Sequence, residues 1–417
     1  MSGTIRVVLS VGQGRLHLIT AAKSIAAAGV DLSVITGWVP RNHRGLLVWL
    51  CSRMVGRDLS FGMKNRIINM PGVEVHAMAV AEFLFQGMRL VDNKVFGGRF
   101  GSWVAEFGWK VYGWMSRRYL SRGAMVFHCR SGAGQGGAIA KAKRMGMKVV
   151  VDHSIAHPAF MERALKGEYE KNGARFTMGM NSLFWQQVMK DCEDADVVMV
   201  NSFFVRDTLI EQGYAPEKVK VVYLGEREDF FGLRKPKGNQ GGKLKLLFTG
   251  GFGFRKGGEY ILKALKILKV RGVDFEMDFV GSYQTAQRII DQYPGLPIRF
   301  HGPKPQEDLK HFLANGDIYV FPSLAEGCAQ SGMEAMAAGM CVVGTHESGF
   351  PITDGENGYI VPSKDATAIA DRIEWLSKNR TEIDRVGANA AKMVAENYTW
   401  KKYGENVKKL YEELLAR

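Results

Sequence analysis

At 417 residues, 46% of them apolar and 24% charged, the chain has a globular composition but is too long for one ordinary hydrophobic core, so two α/β domains are the default. It has no apolar run near the roughly 20 residues of a membrane-crossing helix; its opening, "MSGTIRVVLSVGQGRL", lacks the apolar centre and cleavage site of a secretion signal, and a cytoplasmic location is expected. The net charge of +14 is concentrated, because residues 1–150 hold 21 Lys and Arg against 6 Asp and Glu; an anionic surface or substrate is expected on that side.

Short β-branched runs alternate with helical stretches along the chain. "IRVVLSV" leads to "LHLITAAKSIAAAG" and then "VDLSVITG". Residues 99–122 show a helix-period stripe of Phe100, Trp103, Val104, Phe107, Val111, Trp114 and Met115. This predicts one buried face; Trp109, Tyr112, Lys110, Arg117, Arg118 and Arg122 lie off it and suit an anionic bilayer. "MVFHC" follows, then the glycine loop "CRSGAGQGGA", "KVVVDH", "ADVVMVNS", "FFVRDTLIEQG" and "VKVVYLG". A Gly/Lys-rich stretch, "REDFFGLRKPKGNQGGK", interrupts the pattern before "LKLLFTG" restarts it. Strands alternating with helices predict parallel sheets covered on both faces. The expected organisation is therefore an N-terminal domain over 1–226, a linker over 227–243 and a second domain over 244–398. The cleft between the two domains is the expected ligand site. Residues 399–417 read as a C-terminal helix packing back on the first domain.

Gly132, Gly134 and Gly137 form a Gly-x-Gly-x-x-Gly between an apolar run and a helical one, and Asp152 follows twenty positions after the first glycine. That is the layout of a dinucleotide fingerprint, which makes an NAD-dependent oxidoreductase one reading. Asp194-Ala195-Asp196 resembles a metal-binding Asp-x-Asp, but it sits where acidic residues commonly end a helix–strand connection. The five cysteines form no Cys-x-x-Cys pair and no zinc spacing, so reduced, buried thiols are expected.

The densest chemistry lies in "FPSLAEGCAQSGMEAMAAG" at 321–339. A strand ends, a loop carries Glu326 and Gly327, and a helix beginning near Ser331 places Glu334 in its first turn. Loop glycines and a helix N-terminus together suit an oxyanion, and a carboxylate there suits ribose hydroxyls. Glu326-x7-Glu334 in this setting resembles the signature of the retaining glycosyltransferases of family 4. "FTGGFGFRKGGEYILKAL", "NSFFVRDTLIEQGYAPEKVKVVYLG" and "ESGFPITDGENGYIVP" resemble further segments of that family in the right order.

The resemblance implies the GT-B architecture, an α/β fold of two facing Rossmann-like doubly wound domains with a central cleft. It also implies a nucleoside-diphosphate sugar as donor, no other cofactor and no catalytic metal. Lys256 and Arg255 match the basic pair on the donor diphosphate; this chain has Gly251 where the family often has arginine. Gly12, Gly14 and Gly327 match backbone approaches to the diphosphate. Glu326 matches the glutamate at the donor sugar, Glu334 the ribose ligand, and His153 a histidine on the sugar, with Ser154 in place of the usual aspartate. Those matches make Glu326, His153 and Lys256 the expected catalytic residues. The segment His128-Cys129-Arg130 stands where the family often has His-x-His, so His128 and Arg130 are expected on the acceptor side. The glycine loop then reads as an acceptor-side turn, since it does not open its domain. The implied activity is sugar transfer to an acceptor hydroxyl, carbohydrate or lipid-linked, in surface polysaccharide or glycolipid assembly. The expected setting is the inner face of an anionic cell membrane, without nucleic acid. An oxidoreductase, an epimerase or phosphorylase on the same scaffold, and a non-catalytic membrane-docked GT-B protein remain the alternatives.

Overall fold

The structure, a computed structural model, describes residues 4–13, 17–55, 58–60, 63, 66, 68, 70–238 and 241–417. Among these residues the first sheet holds β1 (Arg6–Gly12), β2 (Asp31–Thr36), β3 (Glu74–Ala77), β4 (Val126–Arg130), β5 (Lys148–His153), β6 (Val197–Val200) and β7 (Val219–Val221). Their spatial order is β3-β2-β1-β4-β5-β6-β7, with every pairing parallel. The second sheet holds β8 (Leu244–Thr249), β9 (Phe275–Val280), β10 (Ile298–Phe300), β11 (Ile318–Phe321), β12 (Cys341–Gly344) and β13 (Tyr359–Ile360). Its order is β10-β9-β8-β11-β12-β13, again parallel. Strand order reverses between β1 and β4 and between β8 and β11, which sets the ligand crevice of such sheets outside the carboxyl ends of those strands.

The central strands are buried on both faces, so they read as unbroken apolar runs such as Val197–Val200. One face of the first sheet is covered by helix His17–Ala27 together with helix Trp400–Leu415, whose Tyr403, Val407, Tyr411 and Leu414 join Val7 and Leu9 in one core. Gly404 permits that crossing, because a Cβ there would stand 2.1 Å from the Ser24 carbonyl oxygen. Thr399 caps the C-terminal helix by accepting the Lys402 amide at 3.2 Å.

Helix Gly101–Ser116 corrects the face read from its hydrophobic stripe. Val104, Gly108, Trp109, Tyr112, Gly113 and Ser116 point inward, while Phe100, Trp103, Phe107 and Trp114 are exposed. The small residues decide the face. A Cβ on Gly113 would come within 1.8 Å of the Gln135 carbonyl oxygen, so only this side can lie against the loop after β4. The Tyr112 hydroxyl then reaches the Ile35 carbonyl at 3.0 Å, giving its buried oxygen a partner. All five cysteines are unpaired; Cys129, Cys192 and Cys341 are buried, Cys51 and Cys328 half-buried.

Candidate active site

Two elements of the second domain bring opposite charges together at the crevice. The loop after β8 doubles back at Gly257, whose φ of +71° suits glycine and whose missing side chain leaves room for the Pro322 carbonyl. This close packing sets Arg255 and Lys256 against the loop after β11. Arg255 Nη1 lies 2.6 Å from Glu326 Oε2, and Lys256 Nζ lies 3.9 Å from Glu326 Oε1. The Arg255 carbonyl accepts from the Leu324 amide at 2.8 Å and the Ser323 hydroxyl at 2.9 Å, so the two loops form one unit. Burial pushes the Lys256 ammonium below the usual lysine range, with Glu326 opposing the shift. Glu326 Oε1 is buried and accepts no hydrogen bond.

The helix after this loop runs Gln330–Ala338, so Glu334 sits one turn inside it rather than in the first turn. Burial raises the Glu334 carboxyl to about 7, against the opposing effect of the Gln306 amide that donates to it at 3.4 Å. Next to it, Gln330 donates to Glu226 at 2.5 Å, and burial raises that carboxyl to about 8, with Glu334 contributing in the same direction. Sequence reading passed over Glu226, Gln330 and Asn201: Glu226 lies outside any motif, and Gln330 and Asn201, though inside motifs, are uncharged amides that nothing local singles out.

Gly327 stands at the seam between domains. A Cβ there would meet the Ser154 carbonyl at 2.0 Å and Asn201 Oδ1 at 2.7 Å, and its own carbonyl accepts from the Ser202 hydroxyl at 2.6 Å. Its glycine requirement therefore comes from the first domain's backbone, a steric cause distinct from the expected approach to a diphosphate. Gly327 thereby sets the loop that carries Glu326 against the segments following β5 and β6, next to His153 and at Asn201. His153 Nε2 and Asn201 Oδ1 are buried polar atoms without a hydrogen-bond partner, as is Glu326 Oε1. Buried polar atoms left unmatched at a cleft are what a polar ligand would satisfy. His153 holds Ser131 Oγ at 3.1 Å through Nδ1, and burial, helped by His157, pulls its pKa to about 3. It is a neutral hydrogen-bonding group at physiological pH.

The remaining predicted residues separate. Gly12 has φ of +86°, and its amide donates to the Tyr112 hydroxyl at 3.1 Å; Gly14 lies outside the described residues. Arg130 ends β4, half-buried with its guanidinium 5.8 Å from the Trp109 ring centre; burial lowers its pKa from the usual arginine range, with Asp152 opposing the shift. His128 is a correction. Its ring is fully buried and Nδ1 lies 2.6 Å from the Tyr411 hydroxyl, so it joins the sheet to the C-terminal helix instead of facing an acceptor.

The glycine loop is occupied from within. Asp191 Oδ2 accepts the Gly132 and Gly134 amides at 2.6 and 2.8 Å, and Oδ1 accepts from the Gln135 side chain at 2.6 Å. A carboxylate of the protein thus fills the place a dinucleotide pyrophosphate would take. Gly136 and Gly137, both at positive φ, let the turn press on Lys110 and Arg117. Asp196 likewise serves structure by accepting the Val149 amide at 2.7 Å, and Asp194 pairs with Lys190.

Comparison with known proteins bears on the second domain first. Residues 229–393 match the family described as glycosyl transferases group 1. Salmonella typhimurium WcaL, a putative colanic acid biosynthesis glycosyltransferase, is 30% identical over 203 residues, 46% of this chain and 50% of that one. The D-inositol 3-phosphate glycosyltransferase of Corynebacterium diphtheriae is 26% identical over 279 residues, 62% of this chain and 64% of that protein. The chain spans about half the length of the first curated relatives it matches, 50% and 46%. Among solved structures, sucrose-phosphate synthase from Thermosynechococcus elongatus superposes with a TM-score of 0.67 at 17% identity, over 99% of both chains. Anabaena HepE, solved in complex with UDP, gives 0.62 at 13% identity over 98% of this chain and 100% of its own. These structures share the two-domain GT-B fold. Residues 229–393, which carry Arg255, Lys256, Glu326 and Glu334, are thus the part of this chain that is similar to the group 1 glycosyl transferases.

Proposed function

We propose that the chain is a retaining glycosyltransferase that moves a sugar from a nucleoside-diphosphate sugar to an acceptor hydroxyl. The observation that carries this reading is the Arg255–Glu326–Lys256 cluster, two cations on a glycine loop held by one carboxylate beside a helix N-terminus. A diphosphate entering here competes with Glu326 for Arg255, turning the carboxylate toward the sugar. Glu334, one helical turn away, takes the ribose hydroxyls.

In the proposed step the bond from the sugar's anomeric carbon to the phosphate oxygen breaks. The acceptor oxygen bonds that carbon on the same face, and the acceptor proton passes to the departing phosphate. Fixed cations favour the step because leaving-group charge grows as the bond breaks. Lys256 and Arg255 supply that compensation, so the reading assigns no metal and no further cofactor. Neutral His153 fits a hydrogen bond to a sugar hydroxyl rather than proton transfer, given its pKa of about 3. Relatives named for colanic acid, amylovoran and capsular polysaccharide biosynthesis support surface polysaccharide or glycolipid assembly as the setting. Among the described residues no helix is long and apolar enough to cross a membrane; we place the chain in the cytoplasm, peripheral on the membrane's inner face, with a carbohydrate or lipid-linked acceptor.

The test is to incubate the chain with UDP-, GDP- and ADP-sugars and simple glycosides. Release of nucleoside diphosphate, with an anomeric configuration in the product that matches the donor by NMR, supports the reading. Inversion of configuration removes the retaining assignment.

A further inference from the structure

We propose that the helical hairpin of Ala79–Val95 and Gly101–Ser116 is a docking face for an anionic lipid bilayer. Among the described residues, fourteen of the twenty exposed large apolar side chains fall between Leu46 and Trp114, so the exposed apolar surface is gathered rather than scattered. On the hairpin, Phe83, Leu84, Val91, Phe96, Phe100 and Trp103 border an open apolar groove of about 860 Å³. Phe96 and Phe100 meet edge to face at 5.4 Å, and Trp103 stacks on Phe107 at 5.5 Å, which gives the face a rigid aromatic surface.

Charge identifies the occupant. The hairpin has three carboxylates, and none is freely exposed, although Asp92 lines the groove and Glu106 is half-buried. Glu82 is buried, accepting from the Trp38 amide and Arg66 at 2.6 Å each; Asp92 is buried, accepting the Phe100 amide at 3.0 Å; Glu106 pairs with Lys110. Arg89, Lys94 and Arg99, in contrast, are exposed. Exposed aromatic rings also carry arginines: Arg53 lies over Trp49 at 5.3 Å, Arg99 over Phe100 at 6.0 Å, and Arg117 over Trp114 at 5.7 Å. An aromatic ring at the acyl boundary with a cation at phosphate level is the chemistry of an interfacial helix on anionic lipid.

The inner face of the same hairpin supports the cleft. The Tyr112 hydroxyl takes the Gly12 amide at 3.1 Å, and the Gly108 carbonyl takes Gln13 Nε2 at 2.7 Å. A bilayer on the outer face therefore lies one helix away from the first domain's loops, where a lipid-linked acceptor would be presented. This names the membrane partner of the function proposed above. Its test uses no sugar transfer, so the two proposals fail separately.

The test is co-sedimentation of the full chain with phosphatidylcholine vesicles, with and without phosphatidylglycerol. Binding is expected with the anionic vesicles only, and it should weaken with salt because the attraction is screened over about 8 Å at physiological ionic strength. The triple variant Arg53→Ser, Arg99→Ser, Arg117→Ser should lower partitioning by about two orders of magnitude. The triple variant Phe96→Ser, Phe100→Ser, Trp103→Ser should lower it comparably, with the thermal transition retained as evidence of folding. In the wild type, brominated acyl chains should quench tryptophan emission, a readout that needs no variant. The proposal is overturned by absence of binding to anionic vesicles at low salt. It is equally overturned by unchanged binding in folded aromatic variants, or by light scattering that shows this face holding two copies together.

Discussion

Two glycine-rich strand-to-helix turns, one in each domain, look alike in sequence and differ in what answers their charge. The turn after β4 aims backbone amides at a carboxylate the protein supplies itself, Asp191. The turn after β8 aims Arg255 and Lys256 at the crevice, where Glu326 holds them through one close and one loose contact. The first turn is closed, and an incoming anion would have to expel a buried side chain bonded three times. The second is open, because a diphosphate could replace Glu326 while Glu326 moves to another polar partner. A glycine pattern alone thus does not tell a binding loop from a structural one; the identity of the resident anion does.

The largest effect expected from this contrast is on stability. Asp191→Ala leaves two buried amides and the Gln135 side chain without their acceptor, which should cost about 4 kcal/mol of unfolding free energy at 1–3 kcal/mol per orphaned donor, with partial relaxation. Urea unfolding measures this, and the folded variant should still bind nucleoside diphosphate. Loss of nucleotide binding in folded protein would make the first turn a ligand site after all. Next comes Lys256→Ala, which should lower kcat by a factor of about 10²–10³, or 3–4 kcal/mol, with the thermal transition unmoved. Turnover within threefold of the wild type would remove Lys256 from the site.

A smaller effect, about 1.5–3 kcal/mol, is expected for Glu334→Ala on nucleoside-diphosphate affinity, since hydrogen bonds to a charged group are lost. Glu326→Ala should spare that affinity and lower turnover; equal losses in both variants would end this division of roles. The raised carboxyl of Glu334 adds a sign. Below about 7 it is protonated, and above it the carboxylate is available to accept two ribose hydroxyls. Affinity should therefore climb as pH rises through about 7 and then level, and Glu334→Gln should flatten that rise. A flat wild-type profile by titration calorimetry would contradict the assignment.

The alternation of strands and helices was legible because parallel strands buried on both faces must be apolar throughout, as Val197–Val200 is. Short edge strands such as Glu74–Ala77 and Ile298–Phe300 escaped reading, because their partly exposed residues carry no such run. The residues of the β8 and β11 loops could be picked out because their chemistry is local, a few positions of one segment. What failed was long-range. Asp191 is brought to Gly132 from 59 residues up the chain. Nor could alternation say which way His128 points, since both faces of β4 are buried and only the helix carrying Tyr411 decides it. The inward face of Gly101–Ser116 was misread for a related reason: glycines that permit close approach outweighed the bulk of Phe100, Trp103 and Trp114.

The central claim is that the second turn, and not the first, receives the phosphates. Titration calorimetry of the wild type and of Lys256→Ala with UDP, GDP, ADP, CMP and NAD tests it most directly. The account predicts that a nucleoside diphosphate binds the wild type, that Lys256→Ala weakens it at least tenfold, and that NAD gives no heat. Binding of NAD alone, unchanged by Lys256→Ala, would contradict it and return the glycine loop at 132–137 to the centre of the function.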